Sequence, residues 1–173
     1  IVVTTDKGLC GPLNTNLLRL VLEQSPNDAD FITIGNKGRQ TLVRANRNIV
    51  ADFHVKDPVA FLEVKPVAEF VIEKFLAGDY DKITVAFTNF KNTISQEPLL
   101  ETLLPISPIE LGRAKGYQGL GVEETVAAHD GPEYGGYLFE PDARGVLDMI
   151  VPQYVGNQLY QMVLESRASE HSA

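Results

Sequence analysis

Apolar residues come in short β-branched runs along the first hundred positions, and each run is followed by a longer stretch with helical spacing. Residues 1–5 (Ile-Val-Val-Thr-Thr) read as a buried strand. After a glycine turn, Leu13, Leu17, Leu18, Val21 and Leu22 form one broad helical face, with Asn14 or Thr15 as its cap. Ser25-Pro26-Asn27-Asp28 ends that helix. Residues 30–34 form a second strand closed by Gly35-Asn36-Lys37-Gly38, and residues 39–44 make a helical turn. Residues 49–55 form a third strand, with Ile49, Ala51 and Phe53 alternating on one face. Asp57-Pro58 predicts a helix start that Pro66 then breaks or kinks; Val67, Phe70, Val71, Lys74 and Phe75 continue at helical spacing until Gly78. Residues 82–89 form a fourth strand, and residues 93–106 contain a fifth.

Strands alternating with helices predict an α/β fold: Rossmann-like, with a mostly parallel sheet and helices on both faces. Residues 1–150 are expected to form that domain. Within it, residues 107–136 hold seven glycines and no sustained period, which predicts an exposed, flexible insertion. A helical pattern begins near Asp142 and is interrupted at Pro152. Beyond it, Val155, Leu159, Met162, Ser166 and Ser169 recur at spacings of four and three. That is the spacing of a coiled-coil seam, and equally of an amphipathic helix lying on the sheet. Residues 151–173 are expected to be the start of a longer helix.

Composition narrows the function. The formal charge is −8, and it is unevenly placed. Residues 1–86 carry 10 Lys/Arg against 11 Asp/Glu, whereas residues 87–173 carry 5 against 12. A basic nucleic-acid footprint is therefore missing, as is a polybasic route to an anionic membrane. Positive charge sits mainly in the first half, at Lys7, Lys37, Arg39, Arg44 and Arg47. No apolar run reaches the roughly 20 residues that span a bilayer. A single cysteine, Cys10, excludes an internal disulfide and offers no metal cluster.

Chemistry-bearing motifs are sparse. The turn after the first strand stands where doubly wound proteins hold a phosphate, but its Gly8-x-x-Gly11 spacing departs from Gly-x-Gly-x-x-Gly, and Pro12 removes a donor. No Walker lysine pattern occurs. Cys10 lies near a helix N-terminus beside Lys7, yet His54, His129 and His171 carry no partner motif for a base. No catalytic residue, metal site or cofactor is expected. The alternatives are a small nucleotide-binding α/β enzyme using the Gly8–Gly11 turn, and a free-standing binding module using the acidic second half.

Six collinear stretches resemble the gamma subunit of F-type ATP synthases. They are Thr5-Asp6-Lys7-Gly8-Leu9-Cys10-Gly11-Pro12-Leu13-Asn14; Ile34-Gly35-Asn36-Lys37-Gly38; residues 87–98 (Phe-Thr-Asn-Phe-Lys-Asn-Thr-Ile-Ser-Gln-Glu-Pro); Leu103-Leu104-Pro105; Tyr137-Leu138-Phe139-Glu140-Pro141-Asp142; and residues 154–170. The resemblance implies the central Rossmann-like domain of a rotor subunit, with the start of its C-terminal shaft helix and without its N-terminal one. It implies a non-catalytic role, coupling c-ring rotation to ATP synthesis in the beta subunits. The implied partners are the alpha, beta and epsilon subunits and the c-ring, with the membrane reached only through the complex, on the cytoplasmic face or its matrix or stromal equivalent. It places Lys7, Gly8, Leu9, Cys10, Gly11 and Asn14 toward an acidic segment of a beta subunit. Tyr137, Leu138 and Glu140 are placed toward the c-ring and epsilon. Val155, Leu159, Met162 and Ser166 are placed on the shaft seam. Pro12 departs from the small residue usual in the family.

Overall fold

The computed structural model describes residues 1–8, 10–106 and 143–173. The expected insertion at 107–136 and Leu9, Tyr137, Leu138 and Glu140 lie outside the described residues. Five strands form one sheet in the order β3-β2-β1-β4-β5. They are β1 (Val2–Val3), β2 (Asp30–Ile34), β3 (Asn48–Phe53), β4 (Ile83–Phe90) and β5 (Gln96–Leu104). The four strands from β3 to β4 run parallel, and β5 pairs antiparallel with β4. The helices are α1 (Leu13–Gln24), α2 (Asn36–Arg44), α3 (Phe61–Leu76) and α4 (Ala143–Ser172).

The chain builds outward from β1 to β3, then returns past β1 to add β4 and β5. This reversal puts helices on both faces. On one side Val2, Phe31 and Ala86 meet Leu17, Leu18 and Val21 of α1 and Leu42 of α2. On the other, Val3, Ile32, Ile34, Val85 and Phe87 meet Val64, Val67 and Val71 of α3 and Val155, Leu159, Met162 and Val163 of α4. Alternate residues of each strand thus enter opposite cores, as the two-residue period requires. Full burial of such side chains stabilises by about 1.5–3 kcal/mol each. Two edge-on aromatic contacts reinforce the α3 side: Phe53 on Phe70, with ring centroids 6.0 Å apart, and Phe61 on Tyr160 at 5.6 Å.

Several expected boundaries move, each for a physical reason. The register of β2 and β3 shifts between Phe31 and Ile32, so Val50 is an extra residue on β3. Ile49 therefore joins the α1 side, while Ala51 and Phe53 join the α3 side; the three do not share a face. Helix α3 starts at Phe61 instead of Pro58, because Glu63 accepts a hydrogen bond from the Lys56 N–H at 2.9 Å and folds residues 56–60 back across its first turn. Pro66 does not end α3. Leu62 and Pro66 are both exposed, which leaves the carbonyl that Pro66 deprives of a donor on the solvated side. Pro152, also exposed, likewise lies within a continuous α4. The turn from α1 to β2 is held by Arg47, whose guanidinium donates to the carbonyls of Ser25, Pro26 and Asn27 and lies 5.3 Å from the Phe31 ring centroid.

Candidate functional site

The loop after β1 leaves the sheet beside β4, where the chain reverses direction. In open α/β sheets this switch point is the usual ligand crevice. Asn14 organises the loop from inside. It is buried in the first turn of α1, where it accepts from the Thr5 N–H at 3.2 Å and donates to Thr5 Oγ1 at 2.7 Å. Its amide also lies 3.1 Å from Cys10 Sγ. Thr5 Oγ1 in turn donates to the Lys7 carbonyl. The expected capping role of Asn14 or Thr15 is therefore not found: Pro12 occupies the cap position of α1, and Asn14 staples the loop.

The first three donors of α2 are also taken. At the start of α2, the Asn36 N–H donates to Asp6 Oδ1 at 3.0 Å, the Lys37 N–H to the Thr5 carbonyl at 3.1 Å, and the Gly38 N–H to Thr4 Oγ1 at 2.8 Å. Gly35 adopts φ +98°, and a Cβ there would lie 2.1 Å from the Thr4 carbonyl oxygen, so only glycine lets α2 approach β1 this closely. The crevice itself is filled by the end of α4. Ser169 Oγ donates to the Thr88 carbonyl at 3.2 Å, and the Arg167 guanidinium donates to the Val55 carbonyl at 2.9 Å and to Glu170 at 2.7 Å. A cavity of about 570 Å³ opens at the opposite end of the sheet, by Asp30, Lys74 and Tyr80. There the Tyr80 hydroxyl donates to Asp30 at 2.7 Å, and that bond, followed by burial, pushes its pKa up to about 12.

A small cavity of about 70 Å³, lined by Cys10, Pro12, Leu13, Thr88 and Ala173 among others, is what remains of the crevice. What the loop offers outward is positive charge. Lys7, Gly8 and Gly11 are exposed, and the Lys37 side chain lies across Gly8: a Cβ on Gly8 would sit 3.2 Å from Lys37 Nζ. Cys10, 2 % exposed, and Asn14, 9 % exposed, face inward, so neither offers the partner contact expected of it. The residues expected on the shaft seam are buried within this chain. Val155, Leu159, Met162 and Ser166 are buried against the chain's own α3 and β4, the second of the two readings their spacing allowed. Asp6 and Arg167, which meet at 3.6 Å, are the site residues that motif reading missed.

The family model described as ATP synthase matches residues 1–173. The chain belongs to the ATP synthase family. The ATP synthase gamma chain of Akkermansia muciniphila is 42% identical over 173 residues, and that of Opitutus terrae 41% identical over 174 residues; each match covers 100% of this chain and 58% of the relative. This member of the family thus spans a little over half the length of the curated relatives it matches. Among solved structures, the cryo-EM structure of the Tetrahymena thermophila mitochondrial ATP synthase central stalk/c-ring shares the fold. Its TM-score is 0.71 at 22% identity, over 99% of this chain and 70% of that one. No helix among the described residues is long and apolar enough to cross a membrane, and no cluster of metal-ligating side chains occurs among them.

Proposed function

We propose that this chain is the globular part of a rotor subunit, catalysing nothing by itself and transmitting torque between a c-ring and the catalytic beta subunits of an ATP synthase. The observation that carries the reading is the closed switch point. A fold that elsewhere holds nucleotides here fills the crevice with its own Asn14, Ser169 and Arg167 and satisfies the N-terminus of α2 internally. The full-length match to gamma chains and the fold shared with a central stalk support the same role. Residues 1–106 form the body together with α4, and the exposed Lys7 and the half-buried Lys37 suit an acidic beta-subunit surface. Tyr137, Leu138 and Glu140 are proposed to face the c-ring and epsilon. The protein reaches the membrane only through the complex, on the cytoplasmic face or its matrix or stromal equivalent.

Calorimetric titration of this chain with the epsilon subunit of the same organism, with ATP as a parallel ligand, tests the proposal. Saturable epsilon binding and no heat with ATP is the expected result. ATP binding without epsilon binding overturns it in favour of a nucleotide enzyme.

A further inference from the structure

We infer that Arg167 is a positioning residue that locks the partner-facing loop after β1 to α4, so that loop and helix move as one body. The consequence for torque rests on the rotor reading; the lock itself does not. Arg167 is 8 % exposed although it carries a full charge. Its fork serves three elements at once: the Val55 carbonyl after β3 at 2.9 Å, Glu170 one turn further along α4 at 2.7 Å, and Asp6 after β1 at 3.6 Å. Asp6 is in turn held at its other oxygen by the Asn36 N–H, which fixes the carboxylate to the start of α2.

Two histidines stand near this junction. His54 Nδ1 lies 3.9 Å from Asp6, and His171 Nε2 lies 3.1 Å from Asp57, both on exposed side chains. The Asp6–Arg167 ion pair is a direct polar link between α4 and the loop that carries Lys7 and Gly8. A guanidinium can bridge a carbonyl and two carboxylates because its five donors are fixed in one plane; a lysine ammonium has neither the reach nor the fork. Because Arg167 is buried and Asp6 half-buried, salt screens the pair less than it would an exposed one.

Asp6→Asn removes the charge of the pair while its remaining oxygen still accepts from Asn36. Arg167→Met keeps the length of the stem and removes the fork. Hydrogen exchange at the Lys7, Gly8, Cys10 and Gly11 amides should accelerate about fivefold in either variant, within the range of coupling between contacting residues. The double variant should exchange no faster than the faster single one. Unchanged loop exchange, or effects that multiply in the double variant, overturns the lock, since a role confined to Val55 and Glu170 would not depend on Asp6. Should Arg167→Met fail to fold, Arg167→Lys carries the same cycle. In the assembled enzyme both single variants should lose about threefold in protons pumped per ATP hydrolysed. A loosened loop with unchanged pumping overturns the part of the inference that concerns torque. If the unaltered chain does not assemble with beta subunits, the rotor reading fails while the exchange cycle still judges the lock.

Discussion

Replacing Asn14 separates a loop staple from a helix cap. Asn14→Ala strips the Thr5 N–H, on a residue 1 % exposed, of its acceptor. An orphaned buried donor costs about 1–3 kcal/mol, and the lost bond to Thr5 Oγ1 adds about 1 kcal/mol. Alanine in place of asparagine inside a helix returns roughly 0.5 kcal/mol. The net expectation is a loss of about 2–3 kcal/mol, which at a urea dependence near 2 kcal/mol per molar lowers the midpoint by about 1 M. Asn14→Ser is the decisive companion. Serine caps helices about as well as asparagine, so a capping role predicts a nearly silent change. A staple that must reach both Thr5 N and Thr5 Oγ1 predicts a loss close to that of alanine, because a hydroxyl one atom shorter cannot span the loop. Urea unfolding followed by far-ultraviolet circular dichroism reads all three proteins. A serine variant with the midpoint of the unaltered chain refutes the staple, and an unchanged slope is required for the comparison to count.

Two further outcomes follow from single positions. Gly35→Ala should cost more than about 4 kcal/mol and leave little soluble protein, since its Cβ meets the Thr4 carbonyl at 2.1 Å, whereas Gly11→Ala, at φ +54° with open space around it, should cost about 1 kcal/mol; equal thermal midpoints for the two variants would sink the argument. Tyr80→Phe should lower stability by about 1 kcal/mol at neutral pH. Because the folded pKa of Tyr80 lies above the unfolded value, that difference should be fully present below about pH 10 and fade as pH rises toward 12; a difference that persists at pH 12 contradicts the Tyr80–Asp30 bond.

The buried parallel strands were legible because a strand covered on both faces must be apolar without interruption, as Val2 and Val3 are, or nearly so, as in Phe31-Ile32-Thr33-Ile34. The antiparallel β5 was harder to read. Its sense depends on the short turn at residues 91–95, where Asn92 accepts from the N–H groups of Ile94 and Ser95, and a short turn leaves no room for a parallel crossover. The bulge at Val50 left no mark, since alternation at Ile49, Ala51 and Phe53 is what an unbulged strand would show. The four-and-three spacing of Val155, Leu159, Met162 and Ser166 is common to a shaft seam and to a helix on a sheet. What distinguishes them is where the sheet lies, which is tertiary information. Asp6 was part of a recognised motif and Arg167 stood three residues before Glu170, but nothing local links positions so far apart in sequence.

A doubly wound sheet acquires a nucleotide site through deficiency: helix N-termini at the switch point keep free donors, and the phosphate completes them. Here the same positions are completed by the chain. Thr4, Thr5 and Asp6 take the first three donors of α2, Asn14 takes the Thr5 N–H, and Pro12 has none to offer. Each of these bonds ties the segment after β1 to α1 or α2. On the proposed rotor reading, a load applied at Lys7 or Gly8 would meet a loop held at Thr5, Asp6 and Asn14, and would pass through Asp6 to Arg167 and into α4 instead of being absorbed by rearrangement of the turn. On that reading, the bonds that close the crevice are the ones that suit it to carry force.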